Sequence, residues 1–487
     1  MKDAHHTWQP VIGLEIHAQL NTKSKLFSSA PNRFGDEPNT NITIVCTGQP
    51  GALPILNKEA VRKAVQFGLA VNAEISLVST FDRKSYFYPD TPRNFQITQY
   101  ENPILRKGTV LTEVNGEMKK FQINRAHIED DAGMLRHFSH FAGVDYNRAG
   151  APLIEIVSEP CIHSAKEASA YAKAIRAILL YLDASDGNME EGSLRMDVNI
   201  SVRLQGEKGL RPRVEIKNMN SFSFLEMAIE AEVDRQIALY IQNPHKAPIE
   251  LIPPGTYRWD PEIKKTVLMR YKENADDYRY FPEPDLVPIV LTQEYIDALR
   301  DSLPELPRDR FNRYTSDLGL TEYAASTLVV EKNLSDYFEQ ALKVCLNPRV
   351  LCNWITVEFA GRFKDSDKNL LNSGILPEHV GKLIQMIDQN KINGRIAKSV
   401  ADDMVQEPGI DPELIVKRNP DYQPLDDLGT IEPIVDQVLK DNPQSIADFK
   451  QGKEKAFAFL VGQVMKLSKG KASPQIVNQL LQKKISQ

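Results

Sequence analysis

Apolar and polar positions in the first 290 residues follow two different periods. Short runs with a strand-like pattern, separated by Gly, Pro, Asn and Asp, lie at residues 11–20, 122–129, 153–157, 195–203 and 213–218. Between them, the capping boxes that begin at Ser164 and Ser223 each lead into apolar residues at helical spacing. Strands interrupted by single helices, without a regular βαβ repeat, are typical of an α+β domain.

The pattern changes near residue 292. Strand signals fade there, and helical segments follow one another with Pro, Asn and Gly between them. The sequence Gln-Glu-Pro-Gly interrupts this helical pattern within residues 402–411. We therefore predict an α+β protein of three domains: a mixed-sheet domain at residues 1–292, an all-helical domain at 293–408 and a small helical tail at 409–487.

Four of the strand-like runs place an acidic residue between two apolar residues. The acids are Glu15, Glu155, Asp197 and Glu215. Since strand side chains alternate between faces, the apolar neighbours of each acid would point into a core while the acid points to the opposite face. The same alternation puts His17 on the side of Glu15.

A fifth acidic run, Glu129-Asp130-Asp131, stands beside His127. Burying a carboxylate costs several kcal/mol unless a cation or a hydrogen-bond network compensates it. Several carboxylates that converge with an imidazole suit a hard divalent ion, most simply Mg²⁺, which prefers oxygen ligands and tolerates bridging phosphates. Spacing alone leaves a second interpretation open, in which each acid is a solvated strand residue or the partner of a nearby Arg or Lys.

Composition and charge exclude several classes of protein. A net charge of −6 over 487 residues argues against a polycation that coats nucleic acid, so RNA contact would need a local basic patch. The four cysteines form no CxxC pair and indicate reduced thiols, not structural zinc. No secretory signal and no apolar stretch near the roughly 20 residues of a membrane span are present, which predicts a cytoplasmic protein. Without a P-loop motif, any ATP would be held mainly through metal ions and local donors.

Long, unusual strings occur along nearly the whole chain. They include Val11-Ile-Gly-Leu-Glu-Ile-His17, Gly48-Gln-Pro-Gly-Ala-Leu-Pro-Ile-Leu-Asn57, Phe81-Asp-Arg-Lys-Ser-Tyr-Phe-Tyr-Pro-Asp90, Asp145-Tyr-Asn-Arg-Ala-Gly-Ala-Pro-Leu-Ile-Glu155 and Met189-Glu-Glu-Gly-Ser-Leu-Arg195. In this order they resemble the B subunits of the glutamyl/aspartyl-tRNA amidotransferases, and the resemblance covers about residues 8–485.

The resemblance implies a function and a set of partners. Members of the family work in a heterotrimer with a glutaminase, which releases ammonia into a channel, and a small third protein. The B subunits use ATP and Mg²⁺ to phosphorylate the side-chain carboxylate of Glu-tRNA(Gln), and in many members Asp-tRNA(Asn). Ammonia then displaces phosphate to give Gln-tRNA or Asn-tRNA. The resemblance also implies a cradle-like first domain and a tail domain that contacts the tRNA.

The resemblance further implies which residues hold Mg²⁺ near the ATP phosphates. They are Glu15, His17, Glu129, Asp130, Glu155, Asp197 and, as the weakest candidate, Glu215. The chemistry is consistent with these residue types, because a carboxylate is a poor electrophile until phosphoryl transfer turns one of its oxygens into a good leaving group. Metal ions neutralise the charge that builds on the phosphate oxygens, and no covalent nucleophile is needed.

Two positions depart from the family pattern. Asp130 stands where Glu is usual, so it is one methylene shorter and a bridging water could complete its ligand contact. Arg93 stands where Lys is usual; a lysine could release a proton during ammonia transfer, whereas Arg93 stays charged and receives only an orienting role. Lys84 matches its family position and is expected to line the ammonia exit, with a surface lysine beside Arg83 as the alternative.

The end of the chain is locally basic. From Lys453 onward, seven lysines face the single acid Glu454, a balance of +6. These lysines could meet tRNA phosphates, or they could form an ordinary solvated face. Two other functions stay open at this level: a non-catalytic tRNA-binding scaffold whose acids are structural, and a stand-alone metal-dependent phosphohydrolase.

Overall fold

A computed structural model describes residues 7–271, 278–422, 427–450, 453–468, 471–472 and 474–486. The chain divides into two compact units, residues 1–307 and residues 308–487. The first unit contains the strands together with several helices, and every described element within the second is helical, which confirms the predicted α+β class. The boundaries of the three predicted domains stay a prediction. None of the helices described is both long and apolar enough to cross a membrane.

Most strands of the first unit join one large sheet. The strands are β1 (Trp8–Gln19), β2 (Glu74–Ile75), β3 (Val78–Ser79), β4 (Asp82–Ser85), β5 (Phe95–Thr98), β6 (Leu105–Arg106), β7 (Thr109–Val114), β8 (Glu117–Asp130), β9 (Met134–His137), β10 (Ala142–Asp145), β11 (Pro152–Ser158), β12 (Leu194–Leu204), β13 (Val214–Met219), β14 (Gly255–Asp260), β15 (Lys265–Tyr271), β16 (Phe281–Pro282) and β17 (Ile289–Val290). The large sheet has the order β15-β14-β13-β12-β1-β11-β8-β6-β2, and β7 also pairs with β8. Strands β13 and β14 are parallel, and the other pairs of this sheet are antiparallel. Three smaller sheets have the orders β10-β9, β16-β4-β5 and β17-β3.

The register at the centre of this sheet brings distant acids side by side. Glu15 on β1 lies opposite Asp197 on β12, and His17 on β1 lies opposite Glu155 on β11. Glu155 in turn lies opposite His127 on β8. Residues directly opposite in neighbouring strands project to the same face of a sheet. Four adjacent strands therefore present these side chains on one face.

The apolar neighbours of the acids form the core on the other face of the sheet. The buried residues that flank them are Leu14, Ile16, Ile154, Ile156, Met196, Val198, Val214 and Ile216. The helices of this unit are α1 (Lys58–Ala70), α2 (Ala165–Tyr181), α3 (Phe222–Gln242), α4 (Pro248–Leu251) and α5 (Gln293–Asp301). Helices α1, α2 and α3 contact the sheet and share this core. Each buried aliphatic side chain contributes roughly 1.5–3 kcal/mol, so the core fixes the strands that carry the acids.

The two helix starts predicted from capping boxes have different outcomes. The Ser164 side chain accepts a hydrogen bond from the Glu167 amide, which confirms the predicted start of α2. The start predicted at Ser223 is wrong, because Ser221 caps α3 by accepting a hydrogen bond from the Phe224 amide. Ser221 has the extended backbone that a cap requires, whereas Ser223 already lies within the helix.

The described elements of the second unit are helices. They are α6 (Pro307–Ser316), α7 (Glu322–Val329), α8 (Lys332–Leu342), α9 (Pro348–Asn353), a π-helical segment (Trp354–Phe359), α10 (Ala360–Arg362), α11 (Pro377–Asp388), α12 (Gly394–Gln406), α13 (Pro412–Arg418), a 3₁₀ turn (Pro420–Tyr422), α14 (Leu428–Asp441), α15 (Pro443–Lys450), α16 (Glu454–Leu467) and α17 (Pro474–Ser486). The last four helices share a core of their own, which includes Ile431, Val435, Leu460, Val464 and Leu481.

Several tail lysines are already paired with acids. The pairs are Lys453 with Asp448 (3.0 Å), Lys471 with Asp421 (2.6 Å) and Lys484 with Asp436 (2.5 Å). Lys469 lies outside the described residues. These contacts reduce the local positive charge that the sequence alone indicated, because acids outside the counted segment contribute to the same surface.

Candidate functional site

The first cluster consists of His17, Glu129 and Glu155, which come from β1, β8 and β11. One ring nitrogen or carboxylate oxygen of each residue lies within 4.8 Å of the others. Nε2 of His17 is 3.5 Å from Oε2 of Glu155. The Thr98 hydroxyl donates a 3.0 Å hydrogen bond to Oε2 of Glu129 and so fixes the direction of that carboxylate. The cluster therefore gathers three ligand-type groups whose strands are far apart in sequence.

His127 adds an imidazole to the first cluster from β8. Its Nε2 lies 3.3 Å from Oε2 of Glu155 and 3.5 Å from Oε2 of Glu129. Burial alone would lower the pKa of His127, but attraction to the two carboxylates outweighs burial and raises the pKa to about 9. Although burial opposes it, contact with His127 lowers the pKa of Glu129 and holds the pKa of Glu155 well below its ordinary value. A positively charged imidazole thus keeps the two carboxylates ionised and together.

The second cluster consists of Glu15, Asp197 and Glu215, which come from β1, β12 and β13. Their carboxylate oxygens also lie within 4.8 Å of one another. Nζ of Lys217 is 2.8 Å from Oδ2 of Asp197 and 3.1 Å from Oε1 of Glu215. The Asn199 amide donates a 2.8 Å hydrogen bond to Oε1 of Glu15. One ammonium group and one amide therefore orient three carboxylates.

The second cluster carries more negative charge than its own cation offsets. Burial raises the pKa of Glu15, and the neighbouring carboxylates of Glu155 and Glu215 raise it further. The pKa of Lys217 is also raised, because attraction to Asp197 and Glu215 outweighs its burial. Burial is the larger cause of the shift at Glu15, but neighbouring carboxylates on this face of the sheet contribute to both shifts. A further cation would lower the energy of this arrangement.

A cavity of about 600 Å³ lies beside the two clusters. That volume falls within the roughly 300–1,000 Å³ typical of small-molecule sites. Its charged lining residues include His17, Lys25, Lys84, Arg93, Glu129, Asp130, Asp131, Arg195, Asp197, Lys217 and Arg270. Acids and cations share the wall, which suits a ligand that carries phosphate groups together with a divalent cation.

Asp130 lies outside both clusters. It follows Glu129 directly on β8, and adjacent strand residues project to opposite faces. The Arg93 guanidinium donates to the Asp130 carboxylate, which also accepts a 2.9 Å hydrogen bond from the Ile97 amide. Burial raises the pKa of Asp130, although Arg93 opposes the shift. Asp130 therefore holds Arg93 at the cavity wall, with the guanidinium carbon 5.2 Å from the centre of the Phe95 ring.

Asp131, the third acid of the same run, is paired as well. Oδ1 of Asp131 is 2.8 Å from Nη2 of Arg195, and Gln19 donates a 2.9 Å hydrogen bond to Oδ2. Although burial opposes it, attraction to Arg195 and Arg148 lowers the pKa of Asp131. Asp131 therefore anchors Arg195, whose guanidinium lines the cavity.

Lys84 lies between the first cluster and a group of tyrosines. Nζ of Lys84 is 5.1 Å from the centre of the Tyr278 ring. Burial would lower the pKa of Lys84, but attraction to Glu129, to the Tyr280 oxygen and to Glu155 outweighs it and raises the pKa. Lys84 is therefore a charged group that lines the cavity beside the acids, not a freely solvated lysine.

Comparison with known sequences decides the family. The sequence model described as the GatB/GatE catalytic domain matches residues 10–297, a range that contains both clusters and the cavity. The chain belongs to the GatB/GatE family. A second model, described as the GatB domain, matches residues 336–485.

Curated relatives of this GatB/GatE family member match over its full length. A protein from Protochlamydia amoebophila, named as the B subunit of aspartyl/glutamyl-tRNA(Asn/Gln) amidotransferase, is 65% identical over 483 residues, which is 99% of this chain and 98% of the relative. Proteins of the same name from Chlamydia abortus and Chlamydia trachomatis serovar L2 are 58% and 57% identical. The match with the Chlamydia abortus protein covers 99% of both chains, and the match with the Chlamydia trachomatis protein covers 98% of both chains.

The structure of this GatB/GatE family member brings six of the seven predicted metal ligands together. They are His17, Glu129 and Glu155 in the first cluster and Glu15, Asp197 and Glu215 in the second. The seventh, Asp130, is bonded to Arg93. Proximity on one face gives the six residues a common environment, and their role as metal ligands stays a prediction.

Two charged residues that are not among the predicted metal ligands contact the clusters. They are His127 and Lys217. Each stands two residues from a predicted ligand on the same strand, Glu129 and Glu215 respectively, and a period of two puts both members of each pair on one face. This spacing along one strand is the signal in the sequence that could have identified His127 and Lys217. Their contacts with Glu155 and Asp197 could not be predicted from it, because those acids lie on neighbouring strands.

Proposed function

We propose that this chain is the ATP- and Mg²⁺-dependent subunit of a tRNA-dependent amidotransferase. It phosphorylates and then amidates the side-chain carboxylate of Glu-tRNA(Gln), of Asp-tRNA(Asn) or of both. Membership of the GatB/GatE family and the names of the relatives support this function. The single observation that carries the chemistry is the presence of the two clusters on one sheet face beside one cavity.

The donor atoms of the two clusters fit Mg²⁺. Glu129 and Glu155 in one cluster, and Glu15, Asp197 and Glu215 in the other, supply the hard oxygen atoms that Mg²⁺ prefers, and His17 adds a single nitrogen. Burial and then the neighbouring carboxylates of Glu155 and Glu215 raise the pKa of Glu15, and a divalent cation would offset the repulsion among these carboxylates. When bound, Mg²⁺ would neutralise the charge that develops on phosphate oxygens during phosphoryl transfer.

Protein side chains orient the proposed ligands before any cation binds. His127 keeps Glu129 and Glu155 together, and Lys217 keeps Asp197 beside Glu215. Preorganised groups do not have to rearrange when the reacting phosphate arrives, which is the main protein contribution to phosphoryl transfer. The Asp130 carboxylate is bonded to Arg93. Asp130 could therefore act as a Mg²⁺ ligand only through a water molecule that bridges its carboxylate and the ion.

Lys84 and Arg93 are the proposed groups of the amidation half-reaction. Lys84 would line the exit of the ammonia path, because its side chain borders the cavity beside Glu129. Arg93 would orient the activated carboxylate or its phosphate, since its guanidinium is fixed by Asp130 and cannot act as a base at neutral pH. Neither residue serves as a covalent nucleophile in this scheme.

The proposed partners are a glutaminase, a small third protein of the same heterotrimer and a mischarged tRNA. The relatives are named as B subunits, which supports assembly into a complex of several proteins. Within this chain, the proposed division is a catalytic cradle at residues 1–292, a helical domain at 293–408 and a tRNA-contacting tail at 409–487. The lysines of the tail support the tRNA contact, although three of them already pair with acids.

A non-catalytic tRNA-binding scaffold is the second candidate. The observation that favours it is that His127 and Lys217 already compensate part of the charge of the clusters, which a structural network would also require. Glu129→Gln separates the two functions in the heterotrimer with the glutaminase and the small protein. The catalytic function predicts loss of amidation with ammonium as donor and unchanged tRNA affinity, whereas a scaffold would retain both. Glu117→Gln, an exposed position on the same strand, is the matched control and should retain full turnover.

A further inference from the structure

Aromatic residues extend from the cavity to the surface, and we call Tyr86, Phe87, Tyr88 and Tyr278 the aromatic platform. Tyr86 and Tyr278 line the cavity, and their ring centres are 6.3 Å apart. The Tyr88 ring lies 6.0 Å from that of Tyr86. Tyr88 and Phe87 are 47% and 66% exposed. The platform therefore continues from the cavity wall to the protein surface.

The loop between β4 and β5 carries three of these rings, those of Tyr86, Phe87 and Tyr88. Its base is closed by a 3.1 Å hydrogen bond from the Tyr86 amide to the Asn94 carbonyl. Its tip is anchored by the Gly133 amide, which donates to the Asp90 carbonyl at 2.7 Å, and by the Tyr146 hydroxyl, which donates to the Pro89 carbonyl at 2.9 Å. The backbone is thus fixed at both ends while large rings face water, which is typical of a recognition surface.

Positive charges accompany the rings. The Arg279 guanidinium lies 5.2 Å from the centre of the Phe87 ring, and Nζ of Lys84 lies 5.1 Å from that of Tyr278. Aromatic faces beside Arg and Lys are the means by which proteins bind unpaired nucleotides, and each stacked base contributes about 1–3 kcal/mol. An apolar protein partner would gain nothing from these cations, so the charge favours a nucleotide.

We infer that the aromatic platform stacks the terminal adenosine of the aminoacyl-tRNA, an inference that rests on the proposed function. The amino acid is esterified to the ribose of that nucleotide. Six covalent bonds of about 1.5 Å join a glutamyl carboxyl carbon to the ribose, so the two are at most about 8 Å apart. Nζ of Lys84 is 5.1 Å from the centre of the Tyr278 ring, and both residues line the same cavity as Glu129 of the first cluster. A carboxylate that reacts at this cavity wall can therefore place its terminal base on the platform.

The adenine of ATP has the same stacking chemistry. The rings of Phe87 and Tyr88 are exposed and do not line the cavity, so a base stacked on them lies at the surface. That position suits the terminal base of a single strand that reaches the cavity from outside, as the end of a tRNA does. The adenine of an ATP whose phosphates lie at the clusters would instead stack on the rings that line the cavity, Tyr86 and Tyr278.

The test uses the heterotrimer of the full chain with the glutaminase and the small protein. Glu-tRNA(Gln) carries 2-aminopurine in place of its terminal adenine, because stacking quenches the fluorescence of this base. We expect quenching with the wild type, and fluorescence close to that of free tRNA with Phe87→Leu and with Tyr88→Leu. The KM for aminoacyl-tRNA should rise about tenfold in each variant, whereas kcat and the KM for ATP should not change.

Phe141→Leu is the matched control. Phe141 is also 66% exposed and stacks on Phe138 at 4.6 Å, outside the platform. It should leave both the quenching and the KM unchanged. Undiminished quenching in Phe87→Leu and Tyr88→Leu overturns the inference, and a raised KM for ATP with quenching retained assigns the rings to ATP instead. A wild-type complex that quenches but forms no amidated tRNA would contradict the proposed function and leave the stacking intact.

Discussion

Nζ of Lys217 lies 2.8 Å from Oδ2 of Asp197, within the cluster proposed to bind a divalent cation. The same ammonium group is 3.1 Å from Glu215. His127 has the equivalent position in the first cluster, between Glu129 and Glu155. Each cluster thus contains a cation supplied by the protein, and a divalent ion that binds there meets its repulsion.

Replacing Lys217 with Met removes this repulsion and keeps most of the aliphatic side chain. We expect Mn²⁺, used as a spectroscopic substitute for Mg²⁺, to bind the variant about tenfold more tightly in the absence of nucleotide, because a like charge no longer stands beside it. Electron paramagnetic resonance of free Mn²⁺ during a titration measures this affinity directly. Lys119→Met removes a lysine that pairs with Glu167 at 2.7 Å outside the clusters and should leave Mn²⁺ affinity unchanged. Equal affinities in the wild type and Lys217→Met would show that Lys217 does not compete with the ion.

The charge on His127 makes the stability of the metal-free protein depend on pH. Its pKa is about 9 in the folded state and about 6.5 when unfolded. Because the folded protein binds the proton of His127 more tightly than the unfolded chain, protonation adds to the free energy of unfolding. This added stability is fully present below about pH 6.5 and is lost as the pH rises through 9. The shift of 9 − 6.5 = 2.5 pH units corresponds to up to about 3 kcal/mol at 1.36 kcal/mol per unit.

Urea denaturation in the presence of a chelator checks this dependence. At each pH, the measured quantity is the loss in free energy of unfolding caused by His127→Gln. This loss should be larger at pH 6 than at pH 9.5 by up to about 3 kcal/mol. His140→Gln, which replaces an exposed histidine outside the clusters, is the control for the substitution itself. A difference between the wild type and His127→Gln that stays constant with pH would contradict the assigned charge.

Arg93 and Asp130 should be energetically coupled. Arg93→Ala leaves a buried carboxylate without its cation and should lower the free energy of unfolding by about 3–5 kcal/mol. In the double variant with Asp130→Asn, the loss should be at least about 1 kcal/mol smaller than the sum of the two single losses. The same urea-denaturation cycle on the exposed pair Lys107 and Glu74 should give a coupling of no more than about 1 kcal/mol. Additive losses at Arg93 and Asp130 would mean that their contact does not stabilise the fold.

Two glycines of the helical unit should respond to alanine with opposite signs. A Cβ at Gly381 in α11 would lie 2.4 Å from the Ala341 carbonyl oxygen and 3.0 Å from Cβ of Val344. Gly381→Ala should therefore lower the free energy of unfolding by about 1–3 kcal/mol. Gly462 in α16 has open space around the same position, so Gly462→Ala should raise stability by about 0.5–1 kcal/mol. Urea denaturation measures both. A Gly381→Ala variant as stable as the wild type would contradict the close approach of α11 to the Ala341 carbonyl, and a destabilised Gly462→Ala would contradict the open space at that position.

Much of the site could be predicted because strand side chains alternate. The period of two placed Glu15 and His17 on one side of β1, with Leu14 and Ile16 in the core, and the structure has this arrangement. The pairing of His17 with Glu155 could not be derived in this way. It depends on which strands are neighbours and on their register, and both are fixed by the packing of the whole sheet.

Asp130 shows where motif similarity and strand geometry point to different roles. Alternation along β8 turns Asp130 away from the sheet face that carries Glu129, so Asp130 is not part of the first cluster although it also borders the cavity. Its prediction as a ligand rested on the resemblance, whereas its contact with Arg93 joins β8 to the turn before β5. The sequence also predicts the wrong cap for α3, because Ser221 and Ser223 stand two residues apart and only the backbone conformation shows which serine precedes the helix.

Transfer of phosphate to aminoacyl-tRNA without any ammonia donor tests the central claim most directly. The heterotrimer with the glutaminase and the small protein is given Glu-tRNA(Gln), γ-labelled ATP and Mg²⁺, with Asp-tRNA(Asn) in a parallel reaction. The wild type should place label on the aminoacyl-tRNA, and added ammonia should remove it. Glu155→Gln, which keeps the size of the side chain, should bind tRNA and transfer no label. Transfer by Glu155→Gln at the wild-type rate, or no transfer by a wild-type complex that binds both tRNAs, would contradict a phosphorylating role for these clusters.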